Sequence, residues 1–198
     1  MKQKIGCVLM AAGDSKRFGE NKLNRKVDGT SLIDRALRNI PKEKLYKVVV
    51  VSQYDEVIKK AQSLGFSGIK NAHPDFGISH TIKLGLDDVC DCDATMFMVS
   101  DQPLLKKESV SQMLDFFEQN NQYIVGMGYG GVRGNPCVFP RKYYDELRKL
   151  EEDHGGSTVI RMHEDELLLF EANHPDELSD IDTKADLQKL CNTEVKNG

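Results

Sequence analysis

No apolar run in the chain approaches the ~18 residues that a membrane span requires, and no low-complexity tract, internal repeat or linker interrupts it. Cysteine is sparse. Cys7, Cys90, Cys92, Cys137 and Cys191 make five in 198 residues; they form no C-x-x-C pair and leave one over from any disulfide set, which fits reduced thiols. Cys90-x-Cys92 has no second cysteine or histidine pair at zinc spacing, and Cys7 reads as a small buried hydrophobe. Basic excess is also missing. Lys and Arg number 27 against 31 Asp and Glu, for a net charge of −4, which argues against a nucleic-acid partner and leaves room only for a small, locally bound anion. Neither Walker A nor G-x-G-x-x-G occurs, since the relevant glycines are Gly13 and Gly19 with Glu20 in the lysine position. Lys2 and Lys4 before a short apolar run imitate a secretory leader, but the run feeds a structured loop, and the expected location is cytoplasmic with no membrane partner.

What is present centres on the segment from Ile5 to Lys22. Ile5 to Met10 is a continuous apolar run of strand length, as expected for a strand buried on both faces. It empties into Ala11-Ala12-Gly13, where small residues let a ligand approach the backbone, and then into a loop that between Lys16 and Lys26 carries Lys16, Arg17, Lys22, Arg25 and Lys26 against Glu20 alone. That local reversal of charge suits a phosphate cradle.

The order of elements predicts an α/β protein. Ser31 and Asp34 resemble a capping box opening a helix over Leu32 to Asn39. Lys47 to Ser52 reads as a buried strand, Tyr54 to Leu64 as a helix, and Phe66 to Asn71 as a short strand. Gly77 to Leu86 reads as a helix whose first turn holds Ser79, His80 and Thr81, a second candidate for binding a polar ligand. Ala94 to Ser100 is another strand running into Asp101-Gln102-Pro103, and Glu108 to Asn120 is helical. Beyond it come a strand at Tyr123 to Gly128, a glycine-rich loop at Tyr129 to Gly134, and a strand at Pro136 to Phe139. Helices over Lys142 to Leu150 and up to Met162, a strand at Leu167 to Glu171 and a terminal helix from Ala185 to Leu190 complete the chain. Strands alternating with helices predict right-handed crossovers, a mainly parallel sheet and one domain over residues 1–198.

Asp101 follows a central strand, where open sheets place their ligands, and Asp182 lies in a late turn. Two converging carboxylates can hold Mg²⁺, which completes its shell with substrate phosphates. Cations together with such a metal suit phosphoryl or nucleotidyl transfer.

These residues carry a resemblance. Leu9-Met10-Ala11-Ala12-Gly13-Asp14-Ser15-Lys16-Arg17-Phe18-Gly19-Glu20-Asn21-Lys22 is similar to the signature of MobA-like nucleotidyltransferases. Asp101-Gln102-Pro103, Arg133-Gly134-Asn135-Pro136 and Asp180-Ile181-Asp182-Thr183 resemble that family's later motifs in the same order. The resemblance implies a three-layer α/β/α Rossmann-like fold of the nucleotide-diphospho-sugar transferase type, with a mostly parallel mixed sheet. The Ala11-Ala12-Gly13 and Asp-Gln-Pro versions resemble the branch that transfers CMP from CTP to molybdopterin-bound molybdenum. By that resemblance Lys22 and Arg17 hold the triphosphate, Asp101 and Asp182 bind Mg²⁺, and Lys22, Arg17 and Asp101 are catalytic. Ala11, Ala12, Gly13, Ser15, Ser79, Thr81, Gln102 and Pro103 border the nucleotide. The partners implied are CTP, a molybdopterin-type acceptor and a molybdoenzyme client. Asp153-His154-Gly155-Gly156-Ser157 departs from the cytidylyl pattern where acceptor contacts are expected. The alternatives are a cytidylyltransferase acting on a sugar or polyol phosphate, and a non-catalytic nucleotide-binding module.

Overall fold

The computed structural model describes residues 3–13, 21–183 and 185–189. Its centre is β1 (Ile5–Ala11), whose burial pattern is nearly unbroken and whose backbone pairs in parallel on both sides. β4 (Lys47–Ser52) lies along one side of it and β6 (Ala94–Val99) along the other. β5 (Ser67–Lys70) extends the parallel ladder past β4. On the far side of β6 the direction reverses: β8 (Val132–Pro140) pairs antiparallel with both β6 and β7 (Ile124–Tyr129), and β9 (Leu167–Glu171) then adds in parallel to β7. The result is a seven-stranded mixed sheet in the order β5-β4-β1-β6-β8-β7-β9. Two short strands, β2 (Lys26–Val27) and β3 (Thr30–Ser31), form a separate ribbon.

Helices cover both faces. Alternate residues Ile5, Cys7, Leu9 and Ala11 pack into one core with α1 (Leu32–Arg38), α2 (Asp55–Ser63) and α4 (Lys107–Gln119). Val8, between them, packs into the opposite core with α3 (Gly77–Asp88), α5 (Tyr144–Arg148) and α6 (Gly156–Met162). This is the three-layer α/β/α arrangement that the resemblance implies, and the period of two along β1 is what divides the core. α3 lies close on β1 because Gly85 has no side chain; a Cβ there would stand 2.4 Å from Val8 Cγ1.

Local chemistry explains most boundaries. The hydroxyl of Ser31 accepts from the Asp34 N–H (3.2 Å) and opens α1 as its N-cap. Cys7 is fully buried, which lifts its thiol far above the ordinary range and makes it a core residue. The expected loop at Tyr129 to Gly134 is instead a tight hairpin. Gly130 and Gly131 both take positive φ, so β8 starts at Val132, four residues earlier than its apolar pattern suggested. Among the described residues no helix is long and apolar enough to cross a membrane.

Candidate active site

The exits of β1, β4 and β6 open on the same edge of the sheet, as parallel pairing requires. Lys22 opens a 3-10 turn over Lys22–Asn24 beneath that edge. Its ammonium donates to Asp101 Oδ2 at 2.9 Å, to the Ile181 carbonyl at 2.9 Å and to Asp182 Oδ1 at 3.4 Å. One cation therefore joins the two aspartates that the sequence set far apart. The Lys22 side chain is only 14% exposed and that of Asp101 24%, so this contact is stronger than a surface ion pair, whereas Asp182 is 54% exposed and can turn to a ligand.

Among the described residues, Asp182 lies far along the chain from the end of any strand before it. β9 ends at Glu171, and the chain returns to the β6 exit by a laced irregular segment. Lys106 N–H donates to Glu177 Oε2 (3.1 Å), Gln102 Nε2 to the Leu178 carbonyl (3.3 Å), and Ile181 N–H to the Asp101 carbonyl (2.9 Å). The Ile181 side chain anchors this return among Val27 and Leu32. At the start of the terminal helix at 185–189, Thr183 and Asp186 bond reciprocally: the Asp186 N–H donates to Thr183 Oγ1 (3.2 Å) and the Thr183 N–H to Asp186 Oδ2 (2.8 Å).

Asp101, Asp182 and the Ile181 carbonyl make a donor set of hard oxygens that already gathers around a positive charge. Two carboxylates fit Mg²⁺ or Mn²⁺ arriving with phosphates, and among the described residues at this end every candidate ligand is a hard oxygen. Asp180, two positions from Asp182, is held above the ordinary carboxylate range by burial, then by the Asp101 and Asp182 charges.

Beside this charged end lies a cavity of about 500 Å³. Asp180 and Gln102 line it on one side, and Arg133, Asn135 and Ser157 on the other. Gln102 is 3% exposed and its Oε1 is a buried acceptor without a hydrogen-bond partner. Ile78, from the start of α3, also enters this cavity. Ser79 instead lines a second one, of about 370 Å³, with its N–H on the Glu152 carbonyl at 3.1 Å, and Thr81 Oγ1 accepts from the buried Asn71. Both are nearly fully buried. Gly77 is confined to glycine by φ +80 and by the Glu152 carbonyl, 2.3 Å from where a Cβ would stand.

Ala11, Ala12 and Gly13 stand at the β1 exit as expected, the alanines buried and the glycine exposed, and Pro103 is buried behind Gln102. Ser15 and Arg17 lie outside the described residues, as do Lys16 and Cys191. The sequence reading missed Ser52, Gln53, Tyr54 and Glu56, whose side chains reach the basic loop from the β4 exit and the start of α2. Their only sequence signal is a polar cluster after an apolar strand.

Known proteins place this geometry. A curated relative, "Probable molybdenum cofactor guanylyltransferase" from Thermococcus sibiricus, is 27% identical over 121 residues, covering 59% of this chain and 58% of its own length. Among solved structures, a nucleotidyl transferase from Methanothermobacter thermautotrophicus superposes with a TM-score of 0.81 at 18% identity, covering 98% of this chain and 99% of that one. Rv0371C from Mycobacterium tuberculosis, in complex with manganese, superposes with a TM-score of 0.73 at 20% identity, covering 96% and 99%. At those identities the two structures speak for the fold, which is the Rossmann-like fold of the nucleotide-diphospho-sugar transferases. The MobA-like NTP transferase domain matches residues 7–167, and the chain belongs to that family.

Proposed function

We propose that this nucleotidyltransferase moves CMP from CTP to a molybdopterin-type acceptor with release of pyrophosphate, using Mg²⁺. The observation that carries the reading is the single ammonium of Lys22 joined to both Asp101 and Asp182 at the edge of a ligand-sized cavity. In this reading a phosphate oxygen of the acceptor attacks the α-phosphorus of CTP. A new P–O bond forms, the bond to the β-phosphate breaks, and pyrophosphate leaves with the electron pair. The attacking oxygen is already anionic, so no general base is required. Mg²⁺, held by Asp101 and Asp182, would supply charge neutralisation for the triphosphate. Lys22 then exchanges its carboxylates for phosphate oxygens and stabilises the charge that grows on the leaving group. Arg17 and Ser15 would complete the phosphate contacts, Ala11, Ala12 and Gly13 would border the base, and Gln102 and Pro103 would shape the floor; Ser79 and Thr81, buried and outside this cavity, would act on it only through the start of α3.

The 500 Å³ cavity has the size of a small-molecule site and the polar groups to orient an acceptor, with Arg133 for an anionic group and Gln102 with Asp180 for a hydrogen-bonding ring edge. Choice of base rests on Ala12, which leaves less space than a second glycine and favours the smaller pyrimidine. The curated relative bears a guanylyl name, so this choice is the part most open to measurement. Pyrophosphate release should be followed with Mg²⁺, CTP or GTP, and a molybdopterin acceptor. A higher kcat/KM with CTP supports the cytidylyl reading, whereas a preference for GTP reverses it.

A further inference from the structure

Both ends of the basic loop are held by one short stretch, Ser52 to Glu56. At the start of the loop the hydrogen bonds run in an unusual order. The Met10 carbonyl accepts from Ser100 Oγ on the β6 side (3.0 Å), and the Ala11 carbonyl accepts from Ser52 Oγ on the β4 side (2.8 Å). That is the alternation of a strand lying between β4 and β6. Continued alternation would return the Ala12 carbonyl to the β6 side. It accepts instead from Gln53 Nε2 (2.9 Å), and the Gly13 carbonyl accepts from Tyr54 OH (3.4 Å). Three consecutive carbonyls are thus turned to the β4 side by three consecutive side chains. In a trans peptide the N–H points opposite to the carbonyl before it. The N–H groups of Ala12 and Gly13 consequently turn toward the β6 exit, where Lys22 and Asp101 stand, and successive donors aimed the same way form an anion-binding concavity. Ser52 is itself fixed, being fully buried and accepting from the Tyr54 N–H at 3.1 Å.

The other end of the loop returns to the same stretch. Asn21 Nδ2 and Asn24 Nδ2 both donate to Glu56 Oε1, at 3.0 and 3.3 Å, while Asn21 Oδ1 accepts from the Leu23 N–H at 3.1 Å. Glu56 thereby sets the turn from which Lys22 extends. Its charge is the wrong sign for this neighbourhood, because a carboxylate near a triphosphate site repels the ligand. Hydrogen bonding to the two asparagines accounts for its presence.

We propose that Ser52, Gln53, Tyr54 and Glu56 act together as the positioning unit of the nucleotide site, aiming the backbone donors of Ala12 and Gly13 and the ammonium of Lys22 at one bound nucleoside triphosphate. The inference rests on the nucleotidyl-transfer reading and deepens it.

Coulomb repulsion and positioning predict opposite signs for the loss of Glu56, which makes the test sharp. Dissociation constants for CTP and GTP should be measured on the full chain with Mg²⁺ and no acceptor, alongside thermal melts and steady-state kinetics. Glu56→Ala and Gln53→Leu should each weaken binding of the preferred nucleotide about tenfold, as the loss of two hydrogen bonds or of one orienting bond allows. The loss should appear in KM more than in kcat. Glu56→Gln keeps an accepting oxygen and should bind like the wild type. Glu56 is exposed, so this pair stays readable even where Gln53→Leu fails to fold. Glu56→Ala binding as tightly as the wild type or more tightly, or Glu56→Gln binding as poorly as Glu56→Ala, would overturn the inference alone. A wild-type protein that binds neither nucleotide would overturn the proposed function and this inference with it.

Discussion

The charged end of the site and the cavity beside it are built in contrasting ways. Lys22, Asp101 and the Ile181 carbonyl are joined by 2.9 Å contacts, with Asp101 just beyond β6, a strand held in parallel register against β1. The cavity is walled by β8, the antiparallel strand, and by the glycine-opened start of α6, with apolar residues such as Met10, Phe97 and Ile160 between its few polar groups. On the proposed reading the first region would bind what every nucleoside triphosphate shares and set the reaction type, while acceptor choice would fall to the hairpin and the start of α6, which carry Arg133, Asn135 and Ser157.

The largest effect should come from the charged end. Lys22→Ala should lower kcat by on the order of 10²-fold or more, as for other single electrostatic donors, with a melting temperature close to that of the wild type. Near-normal turnover would move Lys22 out of the reaction and blur the distinction between the two regions. The cavity should respond differently. Gly155 is extended, with φ −100, and a Cβ there would make only ordinary contact with Ile78 at 3.6 Å, so Gly155→Leu should fold while narrowing the cavity. KM for the acceptor should rise roughly tenfold with KM for the nucleotide unchanged, the scale of effect expected for altered apolar pocket volume. Equal rises in both constants would show that the cavity and the charged end are one site.

A smaller effect concerns acids away from the site. Burial acts to raise the Asp34 carboxyl, but hydrogen bonds from Ser31 and Lys60 outweigh it and hold the group below its ordinary value of 3.8. A folded-state pKa below the unfolded one contributes stability above pH 3.8, and that contribution is lost as the pH falls through the folded value. Lys60→Met should therefore lower the melting temperature slightly at pH 7 and progressively less toward pH 3. A difference independent of pH would trace the effect to packing of the Lys60 stem.

How much of this was legible in sequence follows the same division. Lys47–Ser52 and Leu167–Glu171 have the bounds their apolar runs predict, and β1 and β6 differ from expectation by single residues. The strands buried on both faces, β1, β4 and β6, leave a direct hydrophobic signal, and the half-buried β9 still carries an apolar run. β8 was read short because Arg133, Gly134 and Asn135 are only half-buried where they border the cavity, so the strand loses its apolar pattern at the site. The return of Asp182 toward Asp101 depends on the contacts of Glu177, Leu178 and Ile181, which leave no periodic pattern in the sequence. The hold of Gln53 and Tyr54 on the loop carbonyls was not legible at all: a side chain donating to a distant backbone carbonyl has no spacing rule.

The central claim is that Asp101 and Asp182 serve one metal-assisted nucleotidyl transfer as a unit. It is tested most directly by kcat for pyrophosphate release at saturating Mg²⁺ in Asp101→Asn, Asp182→Asn and the double variant, with melts of each. The account predicts similar residual rates in all three, because residues acting through one ion are grossly non-additive, and little change in melting temperature. Independent losses that multiply in the double variant, or full turnover in Asp182→Asn, would contradict it.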